Sequence, residues 1–266
     1  MESIGLIAGS GSLPLILSER IKRDGQRVVT IALEGLSTRE LSRSSDKTHW
    51  INIGELGRLI NLFKTEGIKK VIMAGKVPKT LMFTDIKPDL RATALFLRLK
   101  NKKDDSILLA LAEELESEGI VLEGLPVYLN HLFVTKGVLT SRSPSREEMR
   151  DVEFGLEMAR EIGRLDIGQT VIVKGQAVLA VEAIEGTDEA IRRGSKLGRG
   201  DVVVIKVSKP GQDMRFDVPV VGLKTMDALK DARAKVLALE SGKTILLDKE
   251  EMIKESDKIG MSIIGI

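Results

Sequence analysis

The residues best suited to chemistry lie between Lys209 and Gly222, in the stretch KPGQDMRFDVPVVG. After a Pro-Gly turn, Asp213, Arg215 and Asp217 alternate with Met214, Phe216 and Val218. That period of two predicts a half-buried strand with one charged face. Along such a strand, at roughly 3.3 Å per residue, Asp213 and Asp217 stand about 13 Å apart, too far to share one metal ion or one proton. Only one of them is then expected to act directly. Asp217 sits beside Arg215 and is followed by Val218-Pro219, which closes the strand and stiffens its end. The competing reading is a charged edge strand carrying an Asp-Arg-Asp ladder.

Other chemistries are bounded by composition. The chain has no cysteine, which removes disulfides, thiol nucleophiles and thiolate metal sites. His49 and His131 are its only histidines, so multi-imidazole metal centres cannot be assembled. Any metal must be held by oxygen, which favours magnesium or manganese. With 41 basic against 39 acidic residues, nothing points to a nucleic-acid partner. No secretory signal opens the chain and no apolar run approaches the roughly 20 residues that span a bilayer. A cytoplasmic protein is expected. A length of 266 residues, 42% hydrophobic, suits two domains of about 130 residues each.

The elements that must position these residues begin with a short apolar strand, MESIGLIAGS, running into Gly9-Ser10-Gly11-Ser12-Leu13-Pro14 and a helix. Strand, glycine turn and helix form a phosphate-cradling arrangement. The dinucleotide fingerprint wants glycine where this chain has Pro14, although proline is comfortable in a helix's first turn. Glu34 ends the next strand, Val28 to Leu33, where a nicotinamide enzyme keeps its ribose-binding acid. A nucleotide-cofactor site and a plain tight turn both remain open. The strand Lys69 to Met73 again ends in glycine, at Ala74-Gly75-Lys76-Val77. The recurrence predicts a parallel sheet with ligand loops at its carboxyl ends. Lys76 offers a point charge for a phosphate, or is simply solvated.

A helix is expected from Gly54 to Lys64, and another from Ile107 to Glu118 capped by Asp104 and Asp105. Its EELESEG lacks the glycine and arginine spacing of Nudix pyrophosphatases. Periodicity fades through TKGVLTSRSPSREE, which marks a linker over residues 135–146 between an N-terminal domain, 1–134, and a C-terminal one, 147–266. In the second domain a helix spans Glu147 to Gly163, and strands span Thr170 to Lys174, Ala177 to Ala183 and Val202 to Val207. Glu182 to Asp188 leads into a helix carrying Arg192 and Arg193. Carboxylates suited to metal thereby meet guanidinium groups suited to phosphate, or else form a surface hairpin and a capped helix. A helix from Thr225 to Leu239, a strand from Thr244 to Leu247, a helix from Lys249 to Lys258 and a last strand complete the chain.

Four blocks in order, GLIAGSGSLP, AREIGRLDIGQTVIV, VLAVEAIEGTDEAIRR and RFDVPVVG, resemble the LpxI family of UDP-2,3-diacylglucosamine pyrophosphatases in lipid A synthesis. The resemblance covers essentially the whole chain. It implies an α/β protein with a Rossmann-like N-terminal domain, a linker and a distinct C-terminal α/β domain, with the lipid product bound between them. It further implies magnesium-dependent hydrolysis of a lipid-linked UDP-sugar to UMP and 2,3-diacylglucosamine 1-phosphate. The family's essential aspartate, in its R-x-D-[LV]-P-x-x-G block, falls on Asp217 and not on Asp213. Asp217 then binds magnesium, orients the attacking water, or does both. Glu182 and Asp188 are candidates for added metal ligation, and Lys209 and Arg193 for oxyanion stabilisation. Substrate contacts are expected at Gly11, Lys76, Val77, Thr170, Thr187 and Asp188. Peripheral contact with the inner membrane surface and homo-oligomerisation are compatible with this reading. Its rivals are a nucleotide-binding module or NAD-dependent enzyme using Gly9, Gly11 and Glu34, and a non-catalytic regulator of envelope synthesis.

Overall fold

Short apolar strands alternating with amphipathic helices can bury their faces only by stacking helices on a mainly parallel sheet. The computed structural model of the protein realises this pattern twice. It describes residues 2–78, 87–99, 104–215 and 218–266. The chain divides into two compact units, the first comprising Met1–Asn130 with Asp213–Asp217, the second His131–Gln212 with Val218–Ile266.

In the first unit, β1 (Ser3–Ala8), β2 (Arg27–Leu33), β3 (Lys47–Ile51), β4 (Lys70–Ala74) and β5 (Val121–Glu123) form a parallel sheet. Their order is β3-β2-β1-β4-β5, the doubly wound arrangement whose direction reverses between β1 and β4. The Rossmann-like expectation is met. Helix α1 (Leu13–Arg23) starts directly after the glycine turn with Pro14 in its first turn, and no side chain caps it. A four-residue helix, α2, spans Leu41–Ser44. Helix α3 (Leu56–Thr65) buries Leu56, Leu59, Ile60 and Phe63. That spacing places one stripe against the sheet, each side chain contributing about 1.5–3 kcal/mol by burial. Helices α4 (Leu90–Arg98) and α5 (Asp104–Ser117) pack beside it, and short α6 spans Pro126–Leu129. Neither β3 nor α4 was expected from the periodicity. The capping expected of Asp104 and Asp105 lies outside the described side chains, whereas Asp89 does cap α4, accepting from the Ala92 N–H at 2.8 Å.

The second unit holds a six-stranded mixed sheet built from β6 (Gly137–Val138), β7 (Thr170–Lys174), β8 (Ala177–Val181), β9 (Val203–Lys206), β11 (Val236–Leu239) and β13 (Ser262–Gly265). Its order is β6-β13-β11-β9-β7-β8. Strands β9, β11 and β13 run parallel, and β6, β7 and β8 are antiparallel to their neighbours. A separate pair joins β10 (Val220–Val221) to β12 (Ile245–Leu246). Helices α7 (Arg146–Arg164), α8 (Thr187–Gly198), α9 (Leu223–Asp231) and α10 (Lys249–Lys258) complete the unit. Helix α7 begins with a capping box, the Ser145 hydroxyl accepting from the Glu148 N–H while the Glu148 carboxylate accepts from the Ser145 N–H. The Ser- and Pro-rich stretch before it supplies β6, and the Arg142 guanidinium there forks onto Glu148 at 2.6 and 2.8 Å.

Two sequence expectations fail. Among the described residues the strand read from Lys209 to Gly222 is not formed: Pro210–Gly211 and Met214–Arg215 are turns, and of the described residues only Val220–Val221 is extended into a sheet. Local side-chain bonds override the alternation, because the Asp213 carboxylate accepts from the Arg215 backbone N–H at 3.0 Å and from its guanidinium at 2.7 Å. The spacing argument built on a regular strand falls with it. The helix read from Thr225 to Leu239 stops at Asp231, and Val236–Leu239 is instead the central strand β11. A fully buried apolar run does not reveal its period.

Candidate functional site

The carboxyl ends of parallel strands gather loops where ligands are received. In the first unit, the turn after β1 and the turn after β4 are joined. Ser10 and Lys76 exchange backbone hydrogen bonds at 2.9 Å each, and the Ser10 hydroxyl adds a third to the Lys76 carbonyl at 2.9 Å. Gly75 has φ 91°, and a Cβ there would stand 2.7 Å from the Ser10 carbonyl oxygen. Its glycine is therefore needed by the contact between the two turns. Gly11, at φ 97°, faces open space, and Lys76 and Val77 are exposed beside it. This unit thus gathers Gly11, Lys76 and Val77 at the point where the strand order reverses. The Glu34 carboxylate is ion-paired with Arg39 at 3.0 Å, and the Arg39 guanidinium lies over Trp50.

A second constellation forms in the other unit. The antiparallel pairing of β7 with β9 sets Thr170 opposite Lys206. The Glu182 N–H bonds the Thr170 carbonyl at 2.9 Å, bringing the end of β8 to the same edge. Gly168 makes that approach possible, since a Cβ there would lie 2.0 Å from the Glu182 carbonyl oxygen. Helix α8 then starts at Thr187 after Gly186. The side chains form a chain of donors. The Lys206 ammonium donates to the Thr187 hydroxyl at 2.6 Å and to that of Thr170 at 3.4 Å. The Thr187 hydroxyl in turn donates to Glu182 Oε1 at 2.8 Å. Lys206 Nζ stands 3.8 Å from Glu182 Oε2, an oxygen that is buried without a hydrogen-bond partner among the described residues. Burial pushes the Glu182 carboxyl up, but the Lys206 ammonium and the Thr170 and Thr187 hydroxyls outweigh it and hold the group below its ordinary value.

Lys209 is also buried and pairs with Asp166 at 2.6 Å. Asp166 adopts φ 58°, a left-handed conformation that, after glycine, asparagine and aspartate adopt most readily. Asp188 lies in the first turn of α8, where an acid complements the helix dipole. The Arg193 guanidinium, exposed, bonds the Val181 carbonyl at 2.7 Å and the Glu185 carboxylate at 2.6 Å.

The predicted residues therefore divide. Gly11, Lys76 and Val77 belong to the first unit; Thr170, Glu182, Thr187, Asp188, Arg193 and Lys209 belong to the second. Asp217 lies outside the described residues. Sequence reasoning missed Lys206 and Asp166. Lys206 did carry a signal, because it is the one charged residue ending the apolar run VVVIK. Among the described residues no group of three or more Asp, Glu or His could hold a metal ion. Glu182 on its own is already faced by an ammonium, an arrangement that balances its charge without a divalent ion.

Comparison with known proteins follows the same division. The LpxI N-terminal domain model matches residues 3–132 and the LpxI C-terminal domain model matches residues 135–264. A relative from Caulobacter vibrioides, named UDP-2,3-diacylglucosamine pyrophosphatase LpxI, is 34% identical over 100% of this chain and 98% of its own length. Among solved structures, a GalE-like L-threonine dehydrogenase from Cupriavidus necator is 17% identical, covering 44% of this chain and 34% of its own, at a TM-score of 0.29. A UDP-glucose-4-epimerase from Stenotrophomonas maltophila is 12% identical, covering 45% of this chain and 35% of its own, at a TM-score of 0.31. This chain spans about a third of either, and at such scores neither speaks to function. The two domain models, matched in order, and the full-length relative show that the chain belongs to the LpxI family.

Proposed function

We propose that the protein hydrolyses the pyrophosphate bond of UDP-2,3-diacylglucosamine, giving UMP and 2,3-diacylglucosamine 1-phosphate for lipid A synthesis. The observation that carries this reading is the full-length identity of 34% to a relative bearing that activity's name. In the reaction, water forms a new bond to one phosphorus, the bridging P–O bond breaks, and the displaced phosphate leaves as an anion. The protein's task is positioning and charge stabilisation.

The constellation around Lys206 suits that task. The Thr187 hydroxyl gives its proton to Glu182 and accepts from Lys206, so its orientation is fixed. What this corner then offers a phosphate is the backbone N–H groups opening α8, with the Lys206 charge behind them. Lys209, held by Asp166, would add positive charge at the start of the loop that follows β9. Arg193, bonded to Val181 and Glu185, would serve by holding the approach to α8 in place.

Magnesium belongs to the proposal through the family's sequence pattern. The described residues bring Glu182 alone to the Lys206 cluster, so no step here passes through the ion. Asp217 is proposed as the essential carboxylate on its place in the RFDVPVVG block. The test measures UMP release from UDP-2,3-diacylglucosamine with magnesium and with chelator, for the wild type, Asp217→Asn and Asp213→Ala. Turnover is expected with magnesium only, and Asp217→Asn should lower kcat by about 10² or more while Asp213→Ala costs far less. An Asp217→Asn variant with most of the wild-type kcat removes that residue's role. A folded wild type with no turnover overturns the function.

A further inference from the structure

Arg215, two residues before the proposed essential carboxylate Asp217, is held from two sides. Its Nε and Nη2 donate to the Asp213 carboxylate at 3.0 and 2.7 Å, and its backbone N–H donates to the same group at 3.0 Å. Its Nη1 donates to Glu116 on α5 at 3.2 Å, a contact between residues 99 apart in sequence. Residues Asp213–Asp217 belong to the first unit, although the chain on either side of them belongs to the second. The backbone shares in this attachment. A Cβ on Gly124, which directly follows β5, would stand 3.4 Å from the Met214 carbonyl oxygen and 3.6 Å from the Arg215 Cα, an ordinary contact distance. The turn at Met214–Arg215 thus lies against the end of β5 and is tied to α5 by its guanidinium.

Three roles are open to such an arginine, and its surroundings select one. Stability is a poor reason for it, because the Arg215 and Glu116 side chains are 35% and 47% exposed and ion pairs that open to water contribute little. Anion binding is a poor reason as well. Two carboxylates on one guanidinium outweigh its charge, and Arg215 holds the Asp213 carboxyl below its ordinary value, so this corner does not gather a pyrophosphate. Placement is what the geometry provides. A planar fork gripped by carboxylates at two edges is fixed in rotation, as a lysine ammonium in the same place is not. The bond from the Arg215 N–H to Asp213 fixes the turn at the same point. We propose that Arg215 is a positioning residue, whose fork joins the Asp213 turn to Glu116 of α5 and so sets where the chain delivers Asp217. The inference rests on the proposed function for the reaction served and for Asp217 as its carboxylate. In-line phosphoryl transfer is a matter of placement, and a shift of about 1 Å can cost about 10²-fold in rate.

The test uses full-length wild type, Arg215→Ala, Arg215→Lys, Glu116→Ala and the double variant Arg215→Ala/Glu116→Ala. Glu116 is exposed on a helix, where alanine is well tolerated, so Glu116→Ala should fold with unchanged circular dichroism even if Arg215→Ala does not. The first measurement needs no substrate. Amide hydrogen exchange of peptides covering residues 212–219 should be at least about tenfold faster in the variants, with exchange in β1 and β9 unchanged. The second measurement is UMP release from UDP-2,3-diacylglucosamine. Arg215→Ala should lower kcat by about tenfold or more with KM within about threefold, and Arg215→Lys should lose nearly as much because it lacks the fork. Glu116→Ala should lose less, and the double variant should be no slower than Arg215→Ala, since Glu116 acts only through Arg215. Unchanged exchange in the folded variants overturns the proposal. So does a wild-type kcat in Arg215→Ala, a loss confined to KM, which marks direct substrate binding, or losses that multiply in the double variant. If Arg215→Ala does not fold, Glu116→Ala decides, and wild-type exchange and kcat there overturn the proposal. An active enzyme whose variants exchange and turn over like the wild type sinks this inference alone. A wild type without turnover, with exchange faster in the variants, sinks only the reading of function.

Discussion

Replacing Lys206 by methionine isolates the electrostatics of the second unit's cluster. Methionine keeps the apolar stem of a side chain that is 3% exposed and removes only the ammonium, so little cavity is created. Lys206 Nζ and Glu182 Oε2 are 3.8 Å apart, and at an effective dielectric of about 20 their attraction is about 4 kcal/mol. The variant leaves the buried Glu182 carboxylate without that partner, and loss of one member of a buried pair costs about 3–5 kcal/mol. The pH dependence is the sharper readout. In the wild type the Glu182 pKa is held down, so its contribution is complete above the unfolded carboxylate range and is lost only as pH falls through the lowered value. In Lys206→Met the Thr170 and Thr187 hydroxyls still oppose burial but the ammonium no longer does, so the folded pKa rises from its wild-type position. The carboxylate then contributes less than in the wild type at high pH, and the difference closes as pH falls and the group is protonated. The deficit should therefore be largest at high pH and shrink as pH falls through the raised value, by about 1.4 kcal/mol per pKa unit between the two proteins. Trp50, the single tryptophan, sits in the first unit, so urea unfolding should be followed by far-ultraviolet circular dichroism or by amide exchange in β9. Adding Glu182→Gln should recover at least half of the loss at pH 8. A pH-independent deficit, or a double variant no more stable than Lys206→Met, would refute the assignment of Lys206 as the counter-charge of Glu182.

Two further outcomes follow from the geometry. Gly168→Ala places a Cβ 2.0 Å from the Glu182 carbonyl oxygen, which the backbone must move to relieve. The expected loss is about 2–3 kcal/mol, read as a Tm lower by about 5–10 °C, and an unchanged Tm would show that the approach of this loop to β8 is looser than described. In the first unit, Lys47 and then Arg27 and His49 hold the Glu66 carboxyl down to about 2. Glu66→Gln should cost about 2 kcal/mol near pH 7. Because the folded pKa is the lowered one, that difference should persist down to about pH 4.5 and close towards pH 2 in urea titrations. A difference constant across that range would mean that the cluster contributes through packing.

The composition and order of residues determined the α/β class, the Rossmann-like first unit and the family, because strand-turn-helix punctuation is local. GLIAGSGSLP needs only its own apolar run, its glycines and Pro14 to become β1, a turn and α1. The absence of cysteine and the two histidines excluded whole chemistries without a fold. The substrate candidates Thr170 and Thr187 were legible as residues next to strand and helix ends. What they do there was not legible. Lys206 reaches both only through the antiparallel register of β7 on β9, a pairing 36 residues apart in sequence at Thr170. Tertiary structure also decided where a local pattern misled. The alternation of Asp213, Arg215 and Asp217 reads as a strand, yet the Asp213 carboxylate finds the Arg215 side chain and backbone N–H at turn spacing. The run from Thr225 to Leu239 reads as one helix, yet VLAL is buried between β9 and β13. In both cases the period of side chains was the evidence; local Asp213–Arg215 hydrogen bonds chose the backbone in the first, and pairing with β9 and β13 chose it in the second. Periodicity reports which face is apolar; only packing reports what that face meets.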